Sequence, residues 1–227
     1  MPRLSVALLG SAALLAASAC ACAAQATTTV LRSRGNDQRG RYDVAWVRLT
    51  DRVATPAVRR RVNADLEREA RSRICRADDG PREHLDAWFR MEVTYLGPRL
   101  LAVSTSEETF CGGAYPAHGP GALLYDLRTG ARIDLEGQMA DARAFRRFVA
   151  RRAQAAAPRD AAECSSEYTA ERLAATGYIY VLRGRTLTAI QDYPHVIQAC
   201  GFETAIPHAD WLRFVKPGSP LRSLGQR

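Results

Sequence analysis

Few residues of this sequence have the types and spacing that catalysis or metal binding requires. The four histidines, His84, His118, His195 and His208, form no H-E-x-x-H motif and no pair four residues apart, the spacing at which two helical histidines share a zinc ion. The sequence contains no G-x-S-x-G elbow, no P-loop and no G-x-G-x-x-G motif. We therefore predict no catalytic residue, no metal site and no cofactor.

Three carboxylates near predicted strand ends are the remaining residues that could take part in catalysis. Asp126, Asp134 and Glu136 have the positions of turn-forming residues. Their spacing alone also permits an acid–base pair of the kind that cleaves glycosidic bonds. An enzyme that uses such a pair is therefore kept as an alternative.

The segment 110–116, Phe-Cys-Gly-Gly-Ala-Tyr-Pro, has the composition of a specialised loop. Gly112 and Gly113 permit backbone angles that are closed to other residues, and Cys111 can tie the loop down through a disulfide. A loop held in this way is pre-organised for binding, whereas the alternative is a tight structural turn. The candidate ligand-binding residues are Gly112, Gly113, Tyr115 and, just beyond the loop, His118.

The first 26 residues are typical of a secretory signal peptide. A single early arginine precedes an apolar run from Leu4 to Ala24, and residues 24–26, Ala-Gln-Ala, have the A-x-A form of a cleavage site. Cleavage after Ala26 makes Thr27 the first residue of the mature chain. We therefore expect a periplasmic or extracellular protein.

A lipoprotein is the alternative form of the exported chain. Cys20 or Cys22 would then be the lipidated first residue, because the sequence Ala-Ser-Ala at 17–19 is close to a lipobox. Acyl chains on either cysteine would tether the same domain to a membrane.

Four cysteines remain after the predicted signal peptide: Cys75, Cys111, Cys164 and Cys200. An even number in an exported chain indicates disulfides, because the compartment is oxidising. Of the three possible pairings, sequence proximity favours Cys75–Cys111 and Cys164–Cys200. A four-cysteine metal site is the alternative, but such sites usually contain close C-x-x-C pairs, and the sequence has none.

The chain is basic, with 32 lysines and arginines, 24 aspartates and glutamates, and a net charge of +8. Nearly all the cations are arginines; they are dispersed among acidic residues, with small clusters at 59–61 and 151–152. This distribution indicates a mixed solvated surface, and we expect no nucleic-acid partner. The excess positive charge favours contact with anionic polymers of the cell envelope.

The apolar pattern predicts an α+β fold in which antiparallel hairpins pack against a few helices. We expect a flexible lead-in at 27–41, an N-terminal strand–helix part at 42–82, an α+β domain at 83–216 and a loose tail at 217–227. Strands are predicted at 42–49, 88–95, 100–106, 121–128, 178–182, 186–190 and 202–206, with helices at 55–75, 141–156, 161–175 and from 207. Trp46, Trp88 and Trp211 are interpreted as core anchors rather than sugar platforms.

Several segments, taken in order, resemble one family pattern. They are Phe-Cys-Gly-Gly-Ala-Tyr-Pro at 110–116, Leu-Tyr-Asp-Leu-Arg-Thr-Gly at 124–130, Ile-Asp-Leu at 133–135, Tyr-Pro-His-Val-Ile-Gln-Ala-Cys-Gly at 193–201 and Thr-Ala-Ile-Pro at 204–207. The pattern resembles the RsiV C-terminal-like family, designated DUF3298, found in RsiV-type anti-sigma factors and in PdaC-type peptidoglycan deacetylases. Residues 42–75, with Asn63 and Leu66 as an N-x-x-L helix signature, resemble the small α/β domain that often precedes it. Tyr115 stands where the family usually has His, and residues 192–195 depart from the usual order.

The resemblance implies an envelope binding module without catalysis. RsiV-type proteins bind lysozyme, and the deacetylase chemistry of PdaC belongs to a different domain. We expect the partner to be a cell-wall component such as peptidoglycan, or a wall-degrading enzyme such as lysozyme. The positive charge opposes encounter with a basic lysozyme unless the acidic residues gather on one face. The alternatives are a peptidoglycan-acting enzyme and a structural envelope protein without a small ligand.

Overall fold

The computed structural model of the chain describes residues 27–50, 52–76, 78–79, 84–159, 161–193 and 195–224. The predicted signal peptide, with Cys20 and Cys22, lies outside the described residues. Within the described part, no helix has the length and apolar character needed to cross a membrane.

Six strands form the larger sheet in the order β1-β2-β3-β4-β5-β6. All neighbours are antiparallel except β2 and β3, which are parallel and are joined through helix α1. The elements are β1 (Thr28–Asp37), β2 (Gly40–Leu49), α1 (Pro56–Arg71), β3 (Asp86–Leu96), β4 (Leu100–Phe110), β5 (Ala117–Asp126) and β6 (Ala131–Arg132).

Helix α1 begins and packs as its sequence predicts. The Thr55 hydroxyl accepts a hydrogen bond from the Val58 amide, and Pro56 opens the first turn. Its buried side is an apolar stripe at a spacing of four, made of Val58, Val62, Leu66 and Ala70. The helix ends at Arg71, four residues before the predicted end at Cys75.

A second sheet and three more helices complete the fold. The sheet has the order β7-β8-β9 and is antiparallel throughout. The elements are α2 (Ala142–Ala156), α3 (Ala170–Ala175), β7 (Gly177–Arg183), β8 (Thr186–Asp192), β9 (Glu203–Ile206) and α4 (His208–Trp211). Short 3₁₀ helices lie at Glu136–Gln138, Ala162–Tyr168, His195–Cys200, Leu212–Phe214 and Pro220–Ser223.

The larger sheet is buried on both faces at the start of β4, where successive side chains alternate between two hydrophobic clusters. Leu101 and Val103 pack into the cluster that includes helix α1, whereas Leu100 and Ala102 pack into the cluster formed by the second sheet and α2. Successive side chains of a strand point to opposite faces, so this sheet separates the two cores. The predicted α+β class is confirmed.

Both predicted disulfides are confirmed. Cys75 is bonded to Cys111 and Cys164 to Cys200, each across 36 residues. The first bond joins the segment after α1 to the end of β4, and the second joins two 3₁₀ segments beside the small sheet. Two disulfides indicate an oxidising, extracytoplasmic compartment.

Two expectations for the chain ends were wrong. Residues 27–41, predicted as a flexible lead-in, contain β1, which pairs with β2 along its whole length. The strand was not predicted because its sequence is polar, as is common for a strand at the edge of a sheet. The tail predicted to be loose is ordered as far as residue 224, where Leu221 and Leu224 are buried; residues 225–227 lie outside the described residues.

The segment 161–175, predicted as one helix, contains two shorter helices. The predicted domain boundary stays a prediction. A 3₁₀ helix at Ala162–Tyr168 carries Cys164, and α3 follows it with Thr169 as its cap. The boundary expected between residues 82 and 83 falls between α1 and β3, and the strands on its two sides pair in one sheet.

Candidate ligand-binding face

The predicted binding loop connects β4 to β5 and is anchored by Cys111. Gly112 and Gly113 have φ angles of +88° and +93°, a backbone conformation that residues other than glycine rarely adopt. A Cβ atom on Gly112 would lie 2.5 Å from the carbonyl oxygen of Asp79, so the loop closely approaches the segment after α1. The paired glycines are therefore required by the shape of this turn.

The two polar residues predicted for this site lie on different elements. Tyr115 projects from the loop and is 66% exposed. His118 is exposed near the start of β5, and its carbonyl oxygen accepts a 3.3 Å hydrogen bond from Nε2 of the Gln198 side chain. Gln198 precedes Cys200, so the second disulfide supports the segment that contacts β5.

Register across four strands places His118 in a line of side chains that sequence reasoning did not assemble. His118 on β5 is opposite Glu108 on β4, Glu108 is opposite Trp88 on β3, and Trp88 is opposite Asp43 on β2. Residues paired in register share a face of the sheet. We call these four residues, Asp43, Trp88, Glu108 and His118, the Trp88 row.

The Trp88 row lies on the sheet face that is turned away from α1. Phe89, the next residue after Trp88, is fully buried in the cluster that contains Leu66 of α1. Trp88 itself is 39% exposed, and Glu108 and His118 are also exposed. This face of the sheet is therefore open to solvent at Trp88, Glu108 and His118.

The expectation that Trp88 is a core anchor was wrong, while Trp46 and Trp211 are buried as predicted. The alternation along β3 contained the signal. Ala87, Phe89 and Met91 are the buried positions of this strand, so Trp88 has the same phase as Arg90.

Arg90 fixes the Trp88 ring from one side. Its guanidinium carbon lies 4.8 Å from the ring centroid. The same guanidinium donates to the Asp43 carbonyl oxygen at 2.7 Å and pairs with the Asp43 carboxylate at 3.0 Å. A cation held over an aromatic face in this way restricts the ring and covers that face.

Arginines pair with two of the carboxylates on this surface, Asp43 and Asp86. Hydrogen bonding from Arg32, assisted by Arg90, holds the pKa of Asp43 well below its usual range. Arg41 pairs with Asp86, two residues before Trp88. Asp43 and Asp86 each have a guanidinium partner, so their negative charges are balanced locally.

A shallow cleft of about 410 Å³ lies at the Asp43, Trp88 and Glu108 part of the Trp88 row. It is lined by Arg41, Asp43, Asp86, Ala87, Trp88 and Glu108. An aromatic surface with a few convergent polar groups is the usual composition of a small-ligand site. The cleft therefore combines a stacking surface with hydrogen-bond donors and acceptors.

The carboxylates kept as a possible acid–base pair have structural partners. Asp126 accepts from the Arg128 amide at 2.9 Å, and Asp134 accepts from the Gly137 amide at 3.0 Å. Glu136 accepts from the Tyr180 hydroxyl at 3.1 Å. Asp126 and Asp134 are turn-forming residues, as their positions indicated.

No group of three His, Cys, Asp or Glu side chains suited to a metal ion occurs within the described residues. His208 shows why an isolated histidine is weak evidence for such a site. Its ring packs edge-on against Trp211 at 5.2 Å between centroids, and burial together with the charge of Arg185 lowers its pKa.

Comparison with known proteins identifies the fold. No protein-family model matches the sequence, and no curated protein matches it. The structure is similar to a crystal structure of a DUF3298 family protein from Pseudomonas aeruginosa, with a TM-score of 0.57 and 17% identity over 84% of this chain and 94% of that chain. It is also similar to a DUF3298 family member from Bacteroides fragilis, with a TM-score of 0.59 and 10% identity over 88% of this chain and 97% of that chain.

Likeness at this level of identity concerns the backbone and not the activity. It agrees with the DUF3298 part of the resemblance, whereas a relation to RsiV-type or PdaC-type proteins in particular stays a prediction. The chain therefore has the fold of the DUF3298 family proteins to which its structure is similar.

Proposed function

We propose that the protein is an extracytoplasmic binding module that recognises the glycan of peptidoglycan through the Trp88 row. The single observation that carries this proposal is an exposed tryptophan at the centre of a wide sheet, fixed by Arg90 on one side. Large aromatic side chains are mostly buried. A tryptophan held outward by a neighbouring guanidinium is pre-organised for a ligand.

The chemistry of the row suits a sugar. The face of an aromatic ring carries negative π charge, and a pyranose ring presents weakly positive C–H groups from one side, so the two stack. Hydroxyl and amide groups at the edge of the sugar would then reach the carboxylates and guanidiniums that line the cleft. The ring face opposite Arg90 is the surface on which we place the sugar.

The electrostatics favour binding over acid–base catalysis at this face. A general acid that works near neutral pH needs a raised carboxyl pKa. The Asp43 pKa is lowered instead, because Arg32 and Arg90 stabilise its charged form. A carboxylate in this state accepts hydrogen bonds from a ligand but does not donate a proton.

The same ion pairs disfavour a basic protein such as lysozyme as the partner. Asp43 is paired with three arginines and Asp86 with one. Asp43 and Asp86 are thus paired, which leaves Glu108 as the carboxylate of the cleft lining without an ion pair among the described residues, too little for the acidic patch that a basic partner requires.

Co-sedimentation with insoluble peptidoglycan tests the proposal. Wild-type protein should bind saturably, and Trp88→Ala should weaken binding by about tenfold or more, as for a central aromatic anchor. Trp88→Phe should retain part of the affinity, because it keeps an aromatic face. Val30→Ala is the control, since Val30 is also an exposed apolar residue, at 66%, but lies on the edge strand β1.

Two results would reject the proposal. One is that the wild-type protein does not bind peptidoglycan; the other is that Trp88→Ala and Val30→Ala bind equally well. A parallel titration with lysozyme separates the two expected partners, because binding to lysozyme alone would support the RsiV-like alternative.

A further inference from the structure

A larger groove lies on the opposite side of the sheet, between the β1–β2 hairpin and helix α1. Its volume is about 800 Å³, within the range of small-molecule sites. Thr29 and Leu31 of β1 form one wall, and the exposed side of α1 forms the other. The groove is thus open along the edge of the sheet.

Arginines dominate the rim of this groove. Arg48 enters from β2, and Arg59 and Arg60 enter from the first two turns of α1. Glu67 is the carboxylate among the described lining residues, and it pairs with Arg71 at 2.8 Å. Among the described carboxylates, none forms an ion pair with Arg48 or Arg60.

The floor of the groove is apolar and firmly built. Leu49 and Trp46 line it, and the Trp46 ring lies beneath the Arg71 guanidinium at 5.5 Å. The Asn63 side chain also lines the groove, but its amide is occupied by hydrogen bonds to the backbone of Leu49. Arg48 and Arg60 are therefore the cations of this lining that pair with none of the described carboxylates.

We infer that this groove binds a phosphate-bearing ligand, with Arg48 and Arg60 as its principal contacts. The guanidinium group presents several N–H donors in a planar fork that matches phosphate oxygens, and it remains charged at every physiological pH. Two such groups from different elements, with no partner among the described carboxylates, attract an anion rather than a neutral sugar. The apolar floor accommodates the carbon atoms that link one phosphate to the next.

The groove is a separate site from the Trp88 row. Trp46 belongs to the core cluster beneath α1, whereas the Trp88 row is on the sheet face turned away from that helix. Variants of one site leave the side chains of the other unchanged. Failure at the groove can therefore be distinguished from failure of the proposed glycan site.

Calorimetric titration with soluble inorganic polyphosphate at low salt tests the inference. The double variant Arg48→Gln/Arg60→Gln should bind at least about tenfold more weakly, because it loses two charge-assisted contacts. The matched control is Arg147→Gln/Arg151→Gln, which removes the same charge from the exposed side of α2. The control should bind within about twofold of wild type, since neither Arg147 nor Arg151 lines the groove.

Sedimentation with phosphatidylglycerol vesicles and with phosphatidylcholine vesicles identifies the source of the phosphate. Arg48- and Arg60-dependent binding to polyphosphate alone indicates a soluble phosphate polymer, and dependence seen only with phosphatidylglycerol vesicles indicates a lipid headgroup. Equal losses in the groove variant and the control would show attraction by net charge only and overturn the inference. The absence of wild-type binding to both probes would overturn it as well.

Discussion

The hydroxyl group of Tyr125 donates a 2.8 Å hydrogen bond to the carboxylate of Asp65, and this bond joins β5 to helix α1. Asp65 also accepts a 2.5 Å hydrogen bond from Nε of Arg132 on β6. Arg132 continues the network to Glu69, one turn further along α1. The helix is thus held on the sheet by a polar network as well as by its apolar stripe.

Removing the Tyr125 hydroxyl should measure the strength of this link. Tyr125 is fully buried, and Tyr125→Phe keeps the ring while deleting one hydrogen bond to a charged group. We expect the free energy of unfolding in urea to fall by about 1.5–3 kcal/mol. Tyr95→Phe is the control, with an expected change within about 0.5 kcal/mol because Tyr95 is only partly buried. Equal losses in the two variants would contradict this role.

The same network should make the protein sensitive to acid. Partial burial alone would raise the pKa of Asp65 and of Glu69, but hydrogen bonds from Tyr125, Arg132 and Arg73 outweigh it, and both pKa values are lowered. A carboxyl with a lowered folded-state pKa stabilises the fold above its unfolded pKa, near about 4. This stability is lost as pH falls through the folded-state pKa.

We therefore expect the melting temperature to decrease when the pH is lowered below about 4. The variant Asp65→Asn/Glu69→Gln is less stable at pH 7 but should lose less stability than wild type between neutral and acidic pH. Melting curves recorded by circular dichroism across this range give both slopes. Parallel slopes in the two proteins would exclude Asp65 and Glu69 as the source of the acid sensitivity.

The binding loop offers a comparison between two adjacent glycines. Gly112 and Gly113 have similar positive φ angles, so alanine strains both positions. A Cβ on Gly112 meets the Asp79 carbonyl oxygen at 2.5 Å, whereas a Cβ on Gly113 has nothing within 4 Å. Gly112→Ala should therefore destabilise the protein by at least about 1 kcal/mol more than Gly113→Ala, since a backbone clash adds to the strain. Equal urea midpoints would show that the loop moves away from Asp79 without cost.

Local periodicity of the sequence predicted most helices and strands of this fold. It did not predict the Trp88 row, which depends on the register between distant strands. The stripe of α1 and the alternation of β3 depend on neighbours three, four or two residues away, which a sequence displays directly. The Trp88 row depends on pairing between strands up to 75 residues apart, from Asp43 to His118. The candidate list therefore contained His118 but omitted Asp43, Trp88 and Glu108.

The polar strand β1 was missed for a related reason. An edge strand has one paired neighbour and needs no apolar face, so its sequence has the composition of a flexible segment. Its structure comes from the partner β2, which pairs with it from Thr28↔Leu49 to Asp37↔Gly40. Composition alone does not show such a partner.

Asn63 is a case in which a sequence signature has a direct structural reason. Its side chain accepts a 2.8 Å hydrogen bond from the Leu49 amide and donates a 3.1 Å bond to the Leu49 carbonyl oxygen. The asparagine thus replaces a strand partner at the end of β2 and fixes the path into α1. Asn63→Ala leaves both backbone groups without this partner, and we expect a loss of about 2 kcal/mol in the free energy of unfolding.

The variant Asn63→Asp separates the two halves of this contact. Aspartate keeps the acceptor for the Leu49 amide but places a second acceptor against the Leu49 carbonyl oxygen, where a donor is needed. If the paired geometry is what stabilises the end of β2, Asn63→Asp should be no more stable than Asn63→Ala at neutral pH and should recover stability as the carboxyl is protonated in acid. Urea unfolding at neutral and acidic pH makes this comparison, and an aspartate variant as stable as wild type at neutral pH would show that the amide-to-carbonyl bond contributes nothing.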